Sequence, residues 1–386
     1  MTRRRVCVVS GGRADYGLLY WPMKEIAASA EFELQLVLTG MHLAPEFGAT
    51  AAQAERDGFT VAARVEMLLA SDTAVGVAKS IGLGVIGFAD AFERLKPDLL
   101  ILLGDRFEIL AAATAALVAR LPVAHLCGGD VTAGAFDEAI RHAITKMAHL
   151  HFATHAEAAR RLRQLGEDPQ RIFNVGSPGV DYIRRLEPMT RDDVARETGL
   201  DLGGRVLLVT FHPPTLGSTP ALVEFEELLA ALDAQGPETT LAFTMPNADT
   251  AGRALAARLE RFVESHAKAR LFRALGSRLY LNLLRQADAI VGNSSSGLLE
   301  APSLGTPTVD IGERQQGRPK AESVVSCRGE RCAIAAAIAA ARKRPKAPVA
   351  NPYGAGDAAR RIVETLRAIG DFRALTQKRF FDLPGA

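Results

Sequence analysis

Leu99-Leu-Ile-Leu-Leu103 is an unbroken apolar run, followed at once by Gly104-Asp105-Arg106. A run so short and so uniformly apolar fits a strand covered on both faces. Such strands belong to parallel sheets flanked by helices. The pattern recurs at 5–10, 34–38, 121–126, 149–154, 206–211, 241–245, 288–292 and 306–311. Helical patterns separate these runs, at 18–28, 46–57, 73–95, 136–150, 155–165, 222–234, 253–266, 279–285, 333–342 and 357–369. That alternation predicts an α/β chain. At 386 residues it is too long for one ordinary core. The expectation is two Rossmann-like doubly wound domains, 1–186 and 205–386, each built on a parallel sheet. A charged linker, 187–204, would join them, and the last helix is able to pack back on the first domain.

Composition narrows the function. The net charge is +2, and basic residues do not cluster with aromatics, so nucleic acid is not an expected partner. Four cysteines form no C-x-x-C pair, which fits reduced thiols in a cytoplasmic protein. The apolar run after Arg3-Arg-Arg5 is only Val6-Cys-Val-Val9, too short for a signal core. The uncharged apolar run at 109–119 is too short to span a bilayer, and no membrane association is expected.

The residues with chemistry gather at strand carboxyl ends, where open α/β folds bind ligands. Gly11-Gly-Arg-Ala-Asp-Tyr-Gly17 follows the first strand. It is not G-x-G-x-x-G, so no dinucleotide is indicated. Arg13 in that turn reads as a ligand contact, or as a plain surface charge. Asp105 and Arg106 follow the 99–103 run, although Asp105 also suits a helix cap. Cys127-Gly-Gly-Asp130 follows another strand, and the next helix carries Asp137, Glu138, Arg141 and His142 early. Asp105, Asp130 and Asp137 should therefore meet along one sheet edge. Carboxylates gathered so are costly unless they do chemistry or grip hydroxyls. His149 and His151 lack any metal-ligand spacing and read as structural.

In the second half His212 stands at a strand end. Gly292-Asn-Ser-Ser-Ser-Gly297 lies between two apolar runs, with Ser294, Ser295 and Ser296 at the start of a short helix. Unpaired N–H groups there make a phosphate seat, and Glu300 is a turn away for a sugar hydroxyl. Helix capping alone would also account for the serines. Arg314 sits in the basic loop Gly312-Glu-Arg-Gln-Gln-Gly-Arg318.

With Leu103-Gly-Asp-Arg-Phe-Glu108, Arg141-His-Ala-Ile-Thr-Lys146, Phe211-His-Pro213 and Pro246-Asn-Ala-Asp-Thr250 added, these motifs resemble the hydrolysing UDP-N-acetylglucosamine 2-epimerases of sialic- and nonulosonic-acid synthesis. The resemblance covers nearly the whole chain. It implies a glycosyltransferase-B type fold with the site in an interdomain cleft, and conversion of UDP-N-acetylglucosamine to N-acetylmannosamine and UDP. UDP-2,4-diacetamido-2,4,6-trideoxyglucose is the alternative substrate, and a glycosyltransferase of the same fold the alternative activity. Carried over by position, Arg13, Arg106, His212, Asn247, Ser294, Ser295, Glu300 and Arg314 fall around UDP, with Arg141 and Ser296 as further substrate- or UDP-binding candidates, and Asp105 and Asp137 are the acid/base carboxylates. Where some relatives have glutamate this chain has Cys127, and Asp130 is the substitute candidate, with His212 held as a further catalytic one. No metal or cofactor is expected. The expected partners are a UDP-sugar and further copies of the chain, as a dimer or tetramer.

Overall fold

The computed structural model describes residues 3–44, 51–71, 73–131, 137–212, 220–245, 252–273 and 275–383. They form two units. One takes the described residues up to 131, 137–181 and those from 353 onward, and the other takes 182–352.

The first unit is a parallel sheet of β1 (Arg4–Ser10), β2 (Phe32–Thr39), β3 (Val61–Val65), β4 (Leu99–Leu103), β5 (Val123–Leu126), β6 (Leu150–Ala153) and β7 (Ile172–Asn174). The order is β3-β2-β1-β4-β5-β6-β7. Alternation along β1 divides its side chains between two cores. Val6 and Val8 pack with Leu19, Met23 and Ile26 of the Arg13–Ala28 helix and with Ile362 and Leu366 of the Ala358–Ala368 helix. Cys7 and Val9 pack on the other face with Phe88 and Phe92 of the Ala74–Leu95 helix and Ile109 of the Phe107–Val118 helix. Each large apolar side chain fully buried this way stabilises the fold by about 1.5–3 kcal/mol. The Ala74–Leu95 helix is long and apolar enough to cross a membrane by length and composition, with a mean hydropathy of 1.5. Gly84 lets it lie close on the Phe107–Val118 helix: a Cβ there would stand 2.9 Å from Ala111 Cβ.

The second unit has β8 (Arg205–Thr210), β9 (Thr239–Thr244), β10 (Ala269–Phe272), β11 (Ala289–Gly292), β12 (Thr308–Ile311) and β13 (Val324–Cys327), all parallel in the order β10-β9-β8-β11-β12-β13. Leu207 and Val209 face the Ala221–Asp233 and Arg331–Arg342 helices, whereas Val206 and Leu208 face the Gly276–Gln286 helix.

The stretch expected to be a linker, 187–204, contains a helix, Arg191–Thr198, capped by Thr190. Val194 on it is fully buried with Leu283 and Leu284, and Arg191 donates to the carbonyls of Leu202 (2.6 Å) and Gln286 (3.1 Å). These residues belong to the second unit. The chain end belongs to the first: buried Asp181 accepts from the Ala358 and Ala359 N–H groups at 2.9 and 2.7 Å, capping the Ala358–Ala368 helix.

Candidate active site

In each sheet the strand order reverses beside the unit's first strand, between β1 and β4 and between β8 and β11. Crossovers leave for opposite faces there, so the carboxyl ends of those strands are the ligand-binding edge of each unit.

In the first unit β1 runs into Gly11 and Gly12 and then the Arg13–Ala28 helix. Arg13 is exposed, whereas Asp15 is only 6% exposed. Asp15 Oδ2 accepts from the Gly11 N–H at 3.3 Å. A Cβ on Gly11 would lie 3.2 Å from that oxygen and 3.5 Å from Glu108 Cβ, so the turn is closed to larger residues. After β4, Gly104 takes a φ of +77° and turns the chain into Asp105 and Arg106. Arg106 meets the fully buried Glu108 carboxylate at two points, 3.2 and 3.0 Å.

Arg141, on the Asp137–Met147 helix, joins separate segments. It pairs with the Asp105 carboxylate and with Glu138 Oε2 (3.2 Å), and donates to the Asp130 carbonyl (2.7 Å). The guanidinium, 5% exposed as a residue, is thus directed at the acids. Burial lifts the Asp137 carboxyl above its usual range, and nearby Asp105 adds to this, against Arg106 and Arg141. Burial also pushes Asp15 up to about 7; Arg106 opposes this, and Glu108 and Asp105 reinforce it. The carboxyls of Asp15, Asp105, Glu108 and Asp137 therefore share Arg106 and Arg141. Asp15, pushed up to about 7, is the carboxyl among them that burial leaves able to hold a proton near neutrality.

Asp130 Oδ1 accepts from Thr154 Oγ1 at 2.5 Å and lies 3.4 Å from His155 Nε2. His125, fully buried, places Nε2 2.8 Å from the Gly104 carbonyl. A carbonyl only accepts, so Nε2 carries the proton and Nδ1 accepts from Thr145 Oγ1 at 3.3 Å. Burial lowers His125 to about 3, which keeps it neutral. Cys127 adopts a left-handed φ of +63°, and burial raises its thiol well above the ordinary range, so it is no thiolate.

In the second unit Gly292, with φ +141°, passes against β8: a Cβ there would lie 2.0 Å from the Thr210 carbonyl oxygen. Asn293, 1% exposed, then holds His212 by both backbone groups at 2.8 Å, accepting from its N–H and donating to its carbonyl. The Asn293 carbonyl accepts from Arg314 Nη1 (2.9 Å) and Gln315 Nε2 (2.8 Å). Two strand ends and the basic loop are fixed together. Burial, with Arg314 adding, lowers His212 to about 4.

Ser294 Oγ accepts from the Ser296 N–H at 3.3 Å, and Ser296 Oγ from the Tyr280 hydroxyl at 2.8 Å. The helix expected after the serines is two pieces, Ser296–Leu299 and Ala301–Leu304, with Glu300 between them. Glu300 Oε2 is buried without a hydrogen-bond partner among the described residues, and burial pushes the carboxyl up to about 7. An unmet buried polar atom costs about 1–3 kcal/mol, which a ligand hydroxyl would relieve. Asn247 lies outside the described residues.

The family model for UDP-N-acetylglucosamine 2-epimerase matches residues 24–367. The chain belongs to this family. It is 40% identical over 84% of its length, and 84% of the relative's, to the hydrolysing GDP/UDP-N,N'-diacetylbacillosamine 2-epimerase of Campylobacter jejuni. It is 30% identical over 98% of its length, and 99% of the relative's, to the UDP-N-acetylglucosamine 2-epimerase of Neisseria meningitidis. A crystal structure of the Methanocaldococcus jannaschii UDP-GlcNAc 2-epimerase with UDP-GlcNAc and UDP shares the fold, with a TM-score of 0.75 at 18% identity, covering 95% of this chain and 100% of that one. The two parallel-sheet units are thus the glycosyltransferase-B type architecture of the 2-epimerase family.

Within this 2-epimerase, Asp105 pairs with Arg141, and Asp137 lies close enough to feel the charges of both. Asp15, Glu108, His125, Tyr280 and Asn293 were not singled out as site residues. Asp15 and Glu108 lie inside quoted motifs, and their spacing after a strand-end glycine was the available signal. Nothing in the local sequence marks His125 or Tyr280, which reach the site only through packing.

Proposed function

We propose that this chain hydrolyses a UDP-linked 2-acetamido sugar and releases it as the free C2 epimer with UDP. The observation that carries the reading is the Asp105–Arg141 pair with Asp137 in electrostatic reach, at the carboxyl edge of the first sheet, in a member of the 2-epimerase family. The C2 proton is weakly acidic and leaves usefully only as the C1–O bond breaks. A carboxylate takes that proton, the bond pair departs with UDP, and a 2-acetamidoglucal remains. Water then adds its oxygen to C1, and C2 receives a proton on the opposite face. Two proton-transfer positions are needed, and such groups typically contribute about a hundred- to ten-thousandfold each. Asp105 and Asp137 take these roles, with Asp130 the further candidate.

UDP falls to Ser294, Ser295, Ser296, Glu300, Arg314, Asn247 and His212, with Arg13 and Arg106 meeting the diphosphate charge as it develops. Between the two sugars, identity favours UDP-2,4-diacetamido-2,4,6-trideoxyglucose, the diacetylbacillosamine of the 40% relative, over the UDP-N-acetylglucosamine of the 30% one. With UDP-N-acetylglucosamine the product would be N-acetylmannosamine. Either product suits a cytoplasmic supply of nonulosonic acids.

The test incubates the chain with each UDP-sugar, and with the GDP-linked diacetamido sugar, in deuterated water. Nuclear magnetic resonance should show one solvent deuterium at C2 of the free epimer, and a chelator should leave the rate unchanged. A product that keeps its C2 proton, or a rate restored only by a divalent ion, would overturn the mechanism.

A further inference from the structure

After the short 3-10 turn Arg373–Thr376, the end of the chain lies on the first unit as a strap without regular structure. Arg171 holds it by the Leu375 and Gln377 carbonyls, at 2.7 and 3.1 Å. The Phe381 N–H donates to the Gly166 carbonyl at 2.9 Å, and the Phe380 ring lies 4.8 Å from Lys146 Nζ. Gly166, at φ +76°, has no space for a Cβ, which would stand 2.3 Å from the Phe380 ring. Between these anchors Lys378 turns inward.

The Lys378 ammonium reaches the carbonyls of Thr145 (3.2 Å), Lys146 (3.0 Å) and Ala148 (2.7 Å), and Glu167 Oε2 (2.6 Å). An ammonium has three protons, so at least one is shared between acceptors. The first two carbonyls are in the last turn of the Asp137–Met147 helix, where acceptors are orphaned and the dipole end is negative. Glu167, 1% exposed, also accepts from Lys146 Nζ (2.6 Å) and lies 2.8 Å from His151 Nε2. Burial works against its charge, but these partners outweigh it and hold the carboxyl near about 2.

The same helix leads to both acids. Asp137 is its first residue, and Arg141 on it pairs with Asp105. Thr145 Oγ1 hydrogen-bonds His125, whose other nitrogen holds the Gly104 carbonyl, one residue before Asp105. A displacement of this helix would carry Asp137 along its axis and reach Asp105 through Thr145, His125 and Gly104.

We propose that Lys378 is a positioning residue for the reaction: the strap it belongs to clamps the carboxyl end of the Asp137–Met147 helix and so sets the placement of Asp105 and Asp137. This rests on the proton-transfer roles proposed above for those two acids.

The test compares wild type with Lys378→Met, which keeps the stem and removes the charge, and with Lys378→Arg. In Lys378→Met, kcat should fall about ten- to a hundredfold, the cost of a small misplacement of reacting groups. KM for the UDP-sugar and Kd for UDP should stay within about twofold, the uniform-binding signature being absent. Lys378→Arg should restore most of the loss. A folded Lys378→Met with kcat within twofold of wild type would overturn the proposal, as would parallel losses in kcat and UDP affinity. If Lys378→Met does not fold, Arg171→Met loosens the strap from outside, and the same split is expected. Hydrogen exchange of the Asp137–Met147 amides provides a readout without substrate. Faster exchange in the last turn supports the clamp, and unchanged exchange removes it. A wild type that turns over no UDP-sugar would refute the proposed function, and the exchange measurement would then decide the clamp alone.

Discussion

At the level of single residues, charge and burial make the sharpest expectations. Glu300 is pushed up to about 7, and its buried Oε2 lacks a protein partner among the described residues. If a UDP hydroxyl donates to that oxygen, UDP favours the ionised form. Binding then expels a proton below about pH 7, and affinity rises with pH up to that point and levels off above it. Calorimetry in buffers of different ionisation enthalpy would show this. Glu300→Gln should flatten the pH dependence and weaken UDP by about 1–3 kcal/mol. Asp105→Asn and Asp137→Asn should each lower turnover by roughly two to four decades while UDP still binds. A block in proton removal also abolishes deuterium entry at C2, whereas a block in the later addition lets the glycal escape, so product analysis separates the roles. Cys127→Ser should retain most activity, since the thiol is buried and protonated. Asp105 was legible because strand-end position is a local property, and Asp137 because it opens the helix after the next strand. Asp15 was not: its importance comes from Glu108 and Asp105, which lie some ninety residues away in the chain and meet it only after folding.

Among the elements, what the sequence concealed has a common cause. The strands at 61–65, 172–174, 269–272 and 324–327 were not anticipated, and they are β3, β7, β10 and β13, the edges of both sheets. Interior strands such as β4 are buried at every residue, so they read as continuous apolar runs. Edge strands keep one side toward solvent; β10 is Ala-Arg-Leu-Phe, with Arg270 exposed, and carries no such run. In the 187–204 segment, expected as a linker, charges outnumber apolar residues, yet Val194 and Leu202 are buried in the second unit's core. At this scale the strap gives a pH expectation. The Glu167 carboxyl is depressed from 4.5 to about 2 in the folded chain. Its contribution to stability is therefore present above about 4.5 and lost as pH falls toward about 2. Glu167→Gln should lose less stability over that acid window than wild type does, measured by denaturant titration at each pH.

For the whole molecule, the Ala74–Leu95 helix presents Val75, Leu83 and Ile86 to solvent, at 63, 43 and 64% exposure. These three exposed apolar side chains are the place to test the expectation that copies of the chain associate. Light scattering should give an oligomer, and Ile86→Glu should shift it toward monomer with UDP affinity retained; a monomeric wild type would refute the expectation. The other property of the entire chain is its order of completion. Asp181 caps a helix that begins at Ala358, so the first unit lacks its closing helix until nearly the whole polypeptide exists. At roughly 5–20 residues per second on the ribosome, that interval is on the order of tens of seconds. During it, Leu19, Met23 and Ile26 stand without Ile362 and Leu366, while residues 182–352 form an uninterrupted stretch that finishes its own sheet earlier. The part made first is thus the one whose apolar face waits longest for its cover.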